Sequence, residues 1–247
     1  MRLLEIGGLA FVAGSSISLM VFVAICCVIL VLFLVAAAVT TETREQSQRA
    51  ASMLSVCLAI YLMLIAAIVN SKILERAFIP LGPMYFVTTI GLAMAIGFSP
   101  VGSRMAAGVP LAFLVGFQAF RLPLECVLHE WYLTGTIPES MTWSGSNWDI
   151  ASGMIALAAS PLAGRWRILA WLANLVGIFL LINVGRVAIL SSPVPFGWDV
   201  EPKLELISHL PYAYIVPICV GAAALGHVLL TRRLLIDRAI SRSRNSA

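Results

Sequence analysis

Long apolar segments separated by short polar ones dominate the pattern of the chain. A helix rises about 1.5 Å per residue and a hydrocarbon core is about 30 Å thick, so roughly 20 apolar residues suffice for a crossing. On this criterion we predict an all-α polytopic transmembrane bundle of about seven spans, forming a single integral-membrane domain over residues 1–247. The predicted spans are residues 8–39, 50–69, 83–98, 105–133, 150–163, 168–190 and 212–230.

Two of the predicted spans differ in length from a typical crossing. Segment 8–39 is longer than one crossing requires, whereas segment 150–163 is shorter. Glu5 precedes the first segment, and neither a basic leader nor a small-residue cleavage site accompanies it. We therefore expect the first segment to be retained as a span.

Composition supports the lipid bilayer as the solvent of the chain. Hydrophobic residues make up 60% of the sequence and charged residues 11%, against roughly 25% charged in soluble domains. This excludes a water-soluble globule. The net charge of +4 resides mostly in arginines between apolar segments, which is the pattern of membrane topology and not of nucleic-acid binding.

The distribution of basic residues predicts the orientation. Lys and Arg accumulate on the cytoplasmic side of membrane proteins. With seven spans, ten basic residues fall on one side and four on the other, so we place the carboxyl terminus in the cytoplasm, the amino terminus outside and loops 134–149 and 191–210 on the outer side of a plasma membrane. The ten are Arg44, Arg49, Arg104, Arg165, Arg167, Arg232, Arg233, Arg238, Arg242 and Arg244, and the four are Arg2, Lys72, Arg76 and Lys203.

A polar stripe runs along the fourth predicted span. Gln118, Arg121, Glu125 and His129 are spaced by three, four and four residues, which places them on one face of a helix. Ionisable groups in a bilayer are costly, so this face must point into the bundle. Two interpretations stay open: a structural ion pair between Arg121 and Glu125, and a polar pocket open to the extracytoplasmic side.

Other polar residues extend the pocket interpretation. Asn183 and Arg186 on the sixth span reach the same predicted depth as the stripe, while Asn147, Trp148 and Asp149 precede the fifth span and are expected to line the mouth. Two arginines and one nearby carboxylate would leave positive charge for an anionic ligand. The alternatives are that Arg186 reaches the headgroups and that the residues around Ser146 and Asp149 only cap a helix.

The sequence F-R-L-P-L-E-x-x-L-H at 120–129, followed by P-E-x-M-T-W-S-G-x-N-W-D-I at 138–150, resembles an uncharacterised group of bacterial polytopic membrane proteins. The resemblance covers about 30 residues. It implies a bacterial membrane protein, in which case the plasma membrane is the inner membrane, and it implies no particular chemistry or site residue.

Three functions are compatible with these residues. The first is binding or transport of a small ligand, anionic or proton-coupled, at the pocket; the second is an accessory subunit packing against a membrane protein partner or a second copy. The third is a membrane-embedded hydrolase with a metal on Glu125, His129 and His209, although the spacing matches no metal motif and the cofactor stays open. A serine hydrolase using Ser152 and His227 is disfavoured because the two fall at opposite predicted depths. Binding is favoured over catalysis.

Overall fold

The computed structural model describes residues 11–41 and 43–245, with side chains described through residue 238. Regular structure in these residues is entirely helical, as predicted. The α-helices are α1 (Ser16–Val39), α2 (Arg44–Asn70), α3 (Ile73–Arg76), α4 (Phe78–Phe98), α5 (Pro100–Gly108), α6 (Leu111–Gly116), α7 (Arg121–Leu133), α8 (Ile150–Ala159), α9 (Arg167–Ser191) and α10 (Gly221–Asn245). A 3-10 turn, Phe117–Phe120, joins α6 to α7, and another, Ser160–Leu162, follows α8; a π-helical turn, Ile215–Val220, leads into α10.

In the described part of the chain, six helical segments are long and apolar enough to cross a membrane: Ser16–Val39, Arg44–Asn70, Phe78–Phe98, Leu111–Leu133, Arg167–Ser191 and Tyr212–Arg238. The chain is therefore a multi-pass membrane protein. The segment predicted as the fifth span is a shorter apolar helix, Ile150–Leu162. α1 begins where the Ser15 side chain accepts the Ser18 amide, and the predicted start at position 8 lies outside the described residues.

Interhelical contacts define two ends of the bundle. At the end that we call the basic end, Arg233 donates to the carbonyl oxygens of Ala107 (2.7 Å) and Val109 (3.1 Å), and Arg167 pairs with Asp237. The opposite end, which we call the loop end, carries the segments 134–149 and 191–211. Its contacts include the Gly14 amide on Tyr212 Oη (2.8 Å), Trp131 Nε1 on Ser18 Oγ (3.0 Å) and Ser140 Oγ on Ser191 Oγ (2.7 Å).

The last helical segment forms the centre of the bundle. Of the most apolar 18 residues in Tyr212–Arg238, 72% are buried, against 11% in α2. Glycines allow this close packing: Gly226 lies against Gln118, and Gly221 against Thr89. The small residues between positions 221 and 226 are thus mostly covered by the chain's own helices.

α8 does not start at the surface. Its amino-terminal cap is Asp149, which is buried, and the preceding loop therefore descends into the bundle before the helix begins. From there α8 runs toward the basic end, where Ser160 Oγ donates to the carbonyl oxygen of Ala112 at 2.8 Å. The alternative in which Ser146 caps this helix is wrong, because the cap residue is Asp149 and its side chain makes no capping bond to a backbone amide.

Candidate functional site

Arg121 is the centre of a buried polar cluster. It is the first residue of α7, its exposed fraction is 1%, and it points into the bundle. Its Nη1 donates to Asp149 Oδ1 at 2.5 Å, to Ser152 Oγ at 2.8 Å and to the Gly177 carbonyl oxygen at 3.4 Å. α7, α8 and α9 therefore all converge on one guanidinium group.

The ion-pair partner of Arg121 differs from the one predicted. The i, i+4 spacing suggested Glu125, but the structure pairs Arg121 with Asp149, and both side chains are buried. Because the loop before α8 enters the bundle, Asp149 reaches the guanidinium from another element. The single Ser152 hydroxyl proton is shared between the backbone carbonyl oxygen of Asp149 at 2.8 Å and its Oδ1 at 2.9 Å.

Glu125 occupies the neighbouring position and has a neutral partner. Asn147 Nδ2 lies 3.0 Å from Oε1 and 3.3 Å from Oε2 of Glu125, and it also donates to the Met141 carbonyl oxygen. Asn147 Oδ1 in turn accepts the Asp149 amide at 3.2 Å. Among the described residues no cationic group lies within salt-bridge distance of Glu125, so its carboxyl group carries no paired positive charge.

A second set of partners reaches Arg121 from α10. His227 Nε2 lies 3.2 Å from Arg121 Nη2, and since arginine only donates, Nε2 accepts and Nδ1 carries the proton. Nδ1 then donates to Asn174 Oδ1 at 2.9 Å, and Asn174 Nδ2 donates to Thr231 Oγ1 at 2.7 Å. The Thr231 hydroxyl donates to the His227 carbonyl oxygen. The hydrogen bonds from Arg121 through His227, Asn174 and Thr231 thus form a continuous series in which each donor and acceptor is assigned.

The sequence analysis did not predict the partners His227, Asn174 and Thr231, and it placed Ser152 at the wrong depth in the membrane. Ser152 and His227 were expected at opposite depths, yet both hydrogen-bond the Arg121 guanidinium. The error lies in Ser152, which is deep because α8 begins deep. Asn174 and His227 lie on spans that do not carry the polar stripe. The one signal in the sequence that could have indicated them is that polar residues within apolar segments are costly and need partners.

An apolar cavity of about 110 Å³ ends at this cluster. Arg121, Glu125 and Asp149 are its charged lining residues, and apolar side chains form most of the remaining wall. α4 contributes Phe78, Pro83 and Phe86, α9 contributes Leu181, Val184 and Ala188, and the segment before α10 contributes Leu204, Leu206 and Ile207.

The other predicted site residues lie elsewhere. Gln118 is buried and donates to the Ala223 carbonyl oxygen at 3.3 Å, while Asn183 donates to the Ser146 carbonyl oxygen at 2.8 Å. Arg186 is exposed, bonds to Asn183 and lies over the Trp198 ring. Trp148 is 62% exposed. Of the predicted site residues, Arg121, Glu125 and Asp149 thus line the cavity, and Asn147 bonds to Glu125 without lining it. Gln118, His129, Asn183, Arg186 and Trp148 also lie outside the lining.

The histidines of the predicted metal trio do not converge with Glu125. His129 stacks on Trp143 with ring centroids 4.2 Å apart, and His209 stacks on Phe11 at 3.8 Å. Within the residues that the structure describes, no group of three or more His, Cys, Asp or Glu side chains is placed to hold a metal ion. The hydrolase hypothesis therefore has no ligand set in the described part of the chain.

His209 gives a pH prediction at the loop end. Burial lowers its pKa below 6.5, Glu75 opposes this change and Lys72 adds to it. The unfolded chain then binds more protons than the folded one, so this contribution to stability is complete above pH 6.5 and is lost as the pH falls through 6.5 toward the folded-state pKa. We expect His209→Asn to flatten the pH dependence of the unfolding free energy between pH 7 and pH 5. An unchanged slope in the variant contradicts the prediction.

Comparison with known proteins identifies a family. The model of a domain of unknown function (DUF8737) matches residues 77–235, which contain the whole polar cluster. The chain belongs to this family. No curated protein and no solved structure matches it.

Proposed function

We propose that this DUF8737 member binds or transports a small molecule with a largely apolar body, held in the cavity between α4 and α9, with its polar group at Glu125. One observation carries the proposal: an apolar cavity ends at buried charged groups. Ligand sites are typically apolar pockets with a few convergent polar groups that fix orientation. An engineered apolar cavity of roughly 150 Å³ binds benzene, so the size found here suits a small ring or short chain.

Charge balance favours a cationic or proton-exchanging ligand over an anion. Asp149 already neutralises Arg121, and the exposed Arg186 lies outside the cavity lining. The excess of positive charge that suggested an anion is thus absent from the cavity lining. Glu125 receives only the neutral amide of Asn147, and an ionised carboxylate in an apolar site needs a cation or a proton to balance it. A ligand amine would supply that charge.

The topology belongs to the same proposal. We propose seven crossings, the fifth made by the descending loop together with α8, in the inner membrane of a bacterium. Arg104, Arg165, Arg167, Arg232 and Arg233 lie at or near the basic end, which agrees with a cytoplasmic basic end and an external loop end. Since α1 starts at the loop end, the amino terminus is then external.

Three probes with one carbon skeleton test the charge assignment: benzylamine, benzyl alcohol and benzoate. We expect calorimetry on the purified protein in detergent to give about tenfold tighter binding for the amine than for the alcohol, because a charge-assisted hydrogen bond contributes about 1.5–3 kcal/mol. Glu125→Gln should bring the amine and the alcohol to within about twofold of each other.

A cavity-filling control separates the site from nonspecific partition into the micelle. Ala188 lines the cavity, so Ala188→Phe should weaken all three probes, whereas Ala222→Phe, on the opposite side of α10, should weaken none. Tightest binding of the carboxylate would contradict the charge assignment. If no probe binds, the ligand proposal fails, and the accessory-subunit function, in which the cluster only locks helix packing, is favoured.

A further inference from the structure

We propose that a second site, at the basic end, binds an anionic phospholipid, with the headgroup at Arg49 and Arg104 and an acyl chain in a separate apolar cavity. This site is independent of the Glu125 cavity. It lies on the other side of α10, between that helix and the α1–α2 hairpin.

The headgroup part is a polar recess between the start of α2 and α5. Its described lining consists of Thr41, Gln46, Arg49, Ala50 and Arg104. Arg49 pairs with Glu45 at 2.5 Å, and this pair is exposed. Arg104 is exposed, and no ion pair of this side chain occurs among the described residues. Among the described residues, the recess is therefore lined by two arginines, of which Arg49 pairs with Glu45.

The acyl-chain part is an apolar cavity of about 120 Å³. Its wall comes from α1, α2, α4, α5, α6 and α10, and it includes Phe33, Leu58, Leu92, Phe113 and Leu225. Tyr61 and Thr89 are the only hydroxyl-bearing lining residues, and the described lining holds no charged side chain. This wall suits a hydrocarbon chain.

Shared elements bring the two parts together. Arg104 lines the recess and Met105, the next residue of α5, lines the apolar cavity. On α2, Ala50 lines the recess and Leu58 the cavity, which corresponds to about 12 Å along the helix axis at 1.5 Å per residue. A phospholipid has this arrangement of a charged group above a hydrocarbon chain, and basic pockets between spans on the cytoplasmic side are typical sites for anionic headgroups.

Native mass spectrometry on the purified full chain tests the proposal, using phosphatidylglycerol and phosphatidylcholine with identical acyl chains. We expect preferential retention of phosphatidylglycerol. Arg104→Gln should weaken its binding about fivefold, because a basic residue near a membrane surface contributes roughly 1 kcal/mol toward an anionic lipid. Arg49→Gln serves as a second variant on the same recess, and both side chains are exposed, so neither change threatens folding.

Two matched controls make the result decisive. Arg165 is exposed in the turn before α9 and does not line the recess, so Arg165→Gln should leave binding unchanged. Ala222→Phe fills the apolar cavity and should weaken phosphatidylglycerol, whereas Ala188→Phe, in the Glu125 cavity, should not. Equal retention of the two lipids, or equal losses in the Arg104 and Arg165 variants, overturns the proposal. Retention unaffected by Ala222→Phe overturns the acyl-chain part.

Discussion

Replacement of Arg121 by methionine is expected to lower the free energy of unfolding by about 3–5 kcal/mol, the usual cost of breaking a buried ion pair from one side. The variant leaves the Asp149 carboxylate without its cation and His227 Nε2 without its donor. Unfolding in mixed detergent and dodecyl sulfate micelles measures the change. Arg186→Met is the matched control, since Arg186 is exposed, and its cost should stay within about 1 kcal/mol.

A double-mutant cycle identifies the partner. Asp149→Asn removes the negative charge that pairs with Arg121. The combined Arg121→Met, Asp149→Asn variant should therefore lose about 1–3 kcal/mol less unfolding free energy than the sum of the losses in the two single variants. Glu125→Gln should couple more weakly to Arg121, because Glu125 bonds to Asn147 instead. Stronger coupling to Glu125 than to Asp149 would contradict the geometry described above.

A methyl group at Gly177 is expected to destabilise the bundle by about 1–3 kcal/mol through overpacking. A Cβ built at Gly177 meets the His227 ring at Cε1 and lies 2.9 Å from Nε2. The ring cannot easily move away, because Arg121 and Asn174 hold its two nitrogen atoms. The measurement is again the free energy of unfolding of Gly177→Ala.

Gly91→Ala provides the control for helical propensity. Gly91 also lies within a helix, and apart from the adjacent backbone of that helix no atom lies within 4 Å of a Cβ built there, so alanine should be neutral or stabilising by up to about 1 kcal/mol. His227→Ala should largely remove the penalty of Gly177→Ala, since it removes the ring. Equal costs for Gly177→Ala with and without His227 would show that the contact does not limit packing.

The helical spacing of polar residues was sufficient to predict the first half of the cluster. Gln118, Arg121 and Glu125 recur at three and four residues and are buried, but only Arg121 and Glu125 belong to the cluster, and His129 is partly exposed. Their partners were harder to assign, because pairing was sought within one helix. Asp149 lies 28 residues from Arg121 and His227 lies 106 away, and local periodicity carries no information on such contacts.

The predicted positions of Asn147 and Asp149 were wrong because the loop before α8 lies deeper in the bundle than expected. Asn147 and Asp149 were expected at the mouth of a pocket because they precede an apolar segment at the predicted outer surface. Both are buried. Their polar groups bond to protein instead of water: Asn147 donates to the Glu125 carboxyl group, and Asp149 accepts from the Arg121 guanidinium. Hydropathy measures how apolar a segment is, but it does not show that a short segment starts below the surface.

The separation of Arg121 from its partners has a consequence for biogenesis. During translation, the guanidinium leaves the ribosome 28 residues ahead of Asp149 and 106 ahead of His227. A nascent chain that ends before residue 149 therefore contains this cation without either partner. The translocon must retain the fourth crossing in a hydrated environment, or release it with an unsatisfied charge, until the later segments arrive. Satisfaction of this charge therefore requires α10, and truncation before α10 is expected to expose the nascent chain to membrane quality-control proteases.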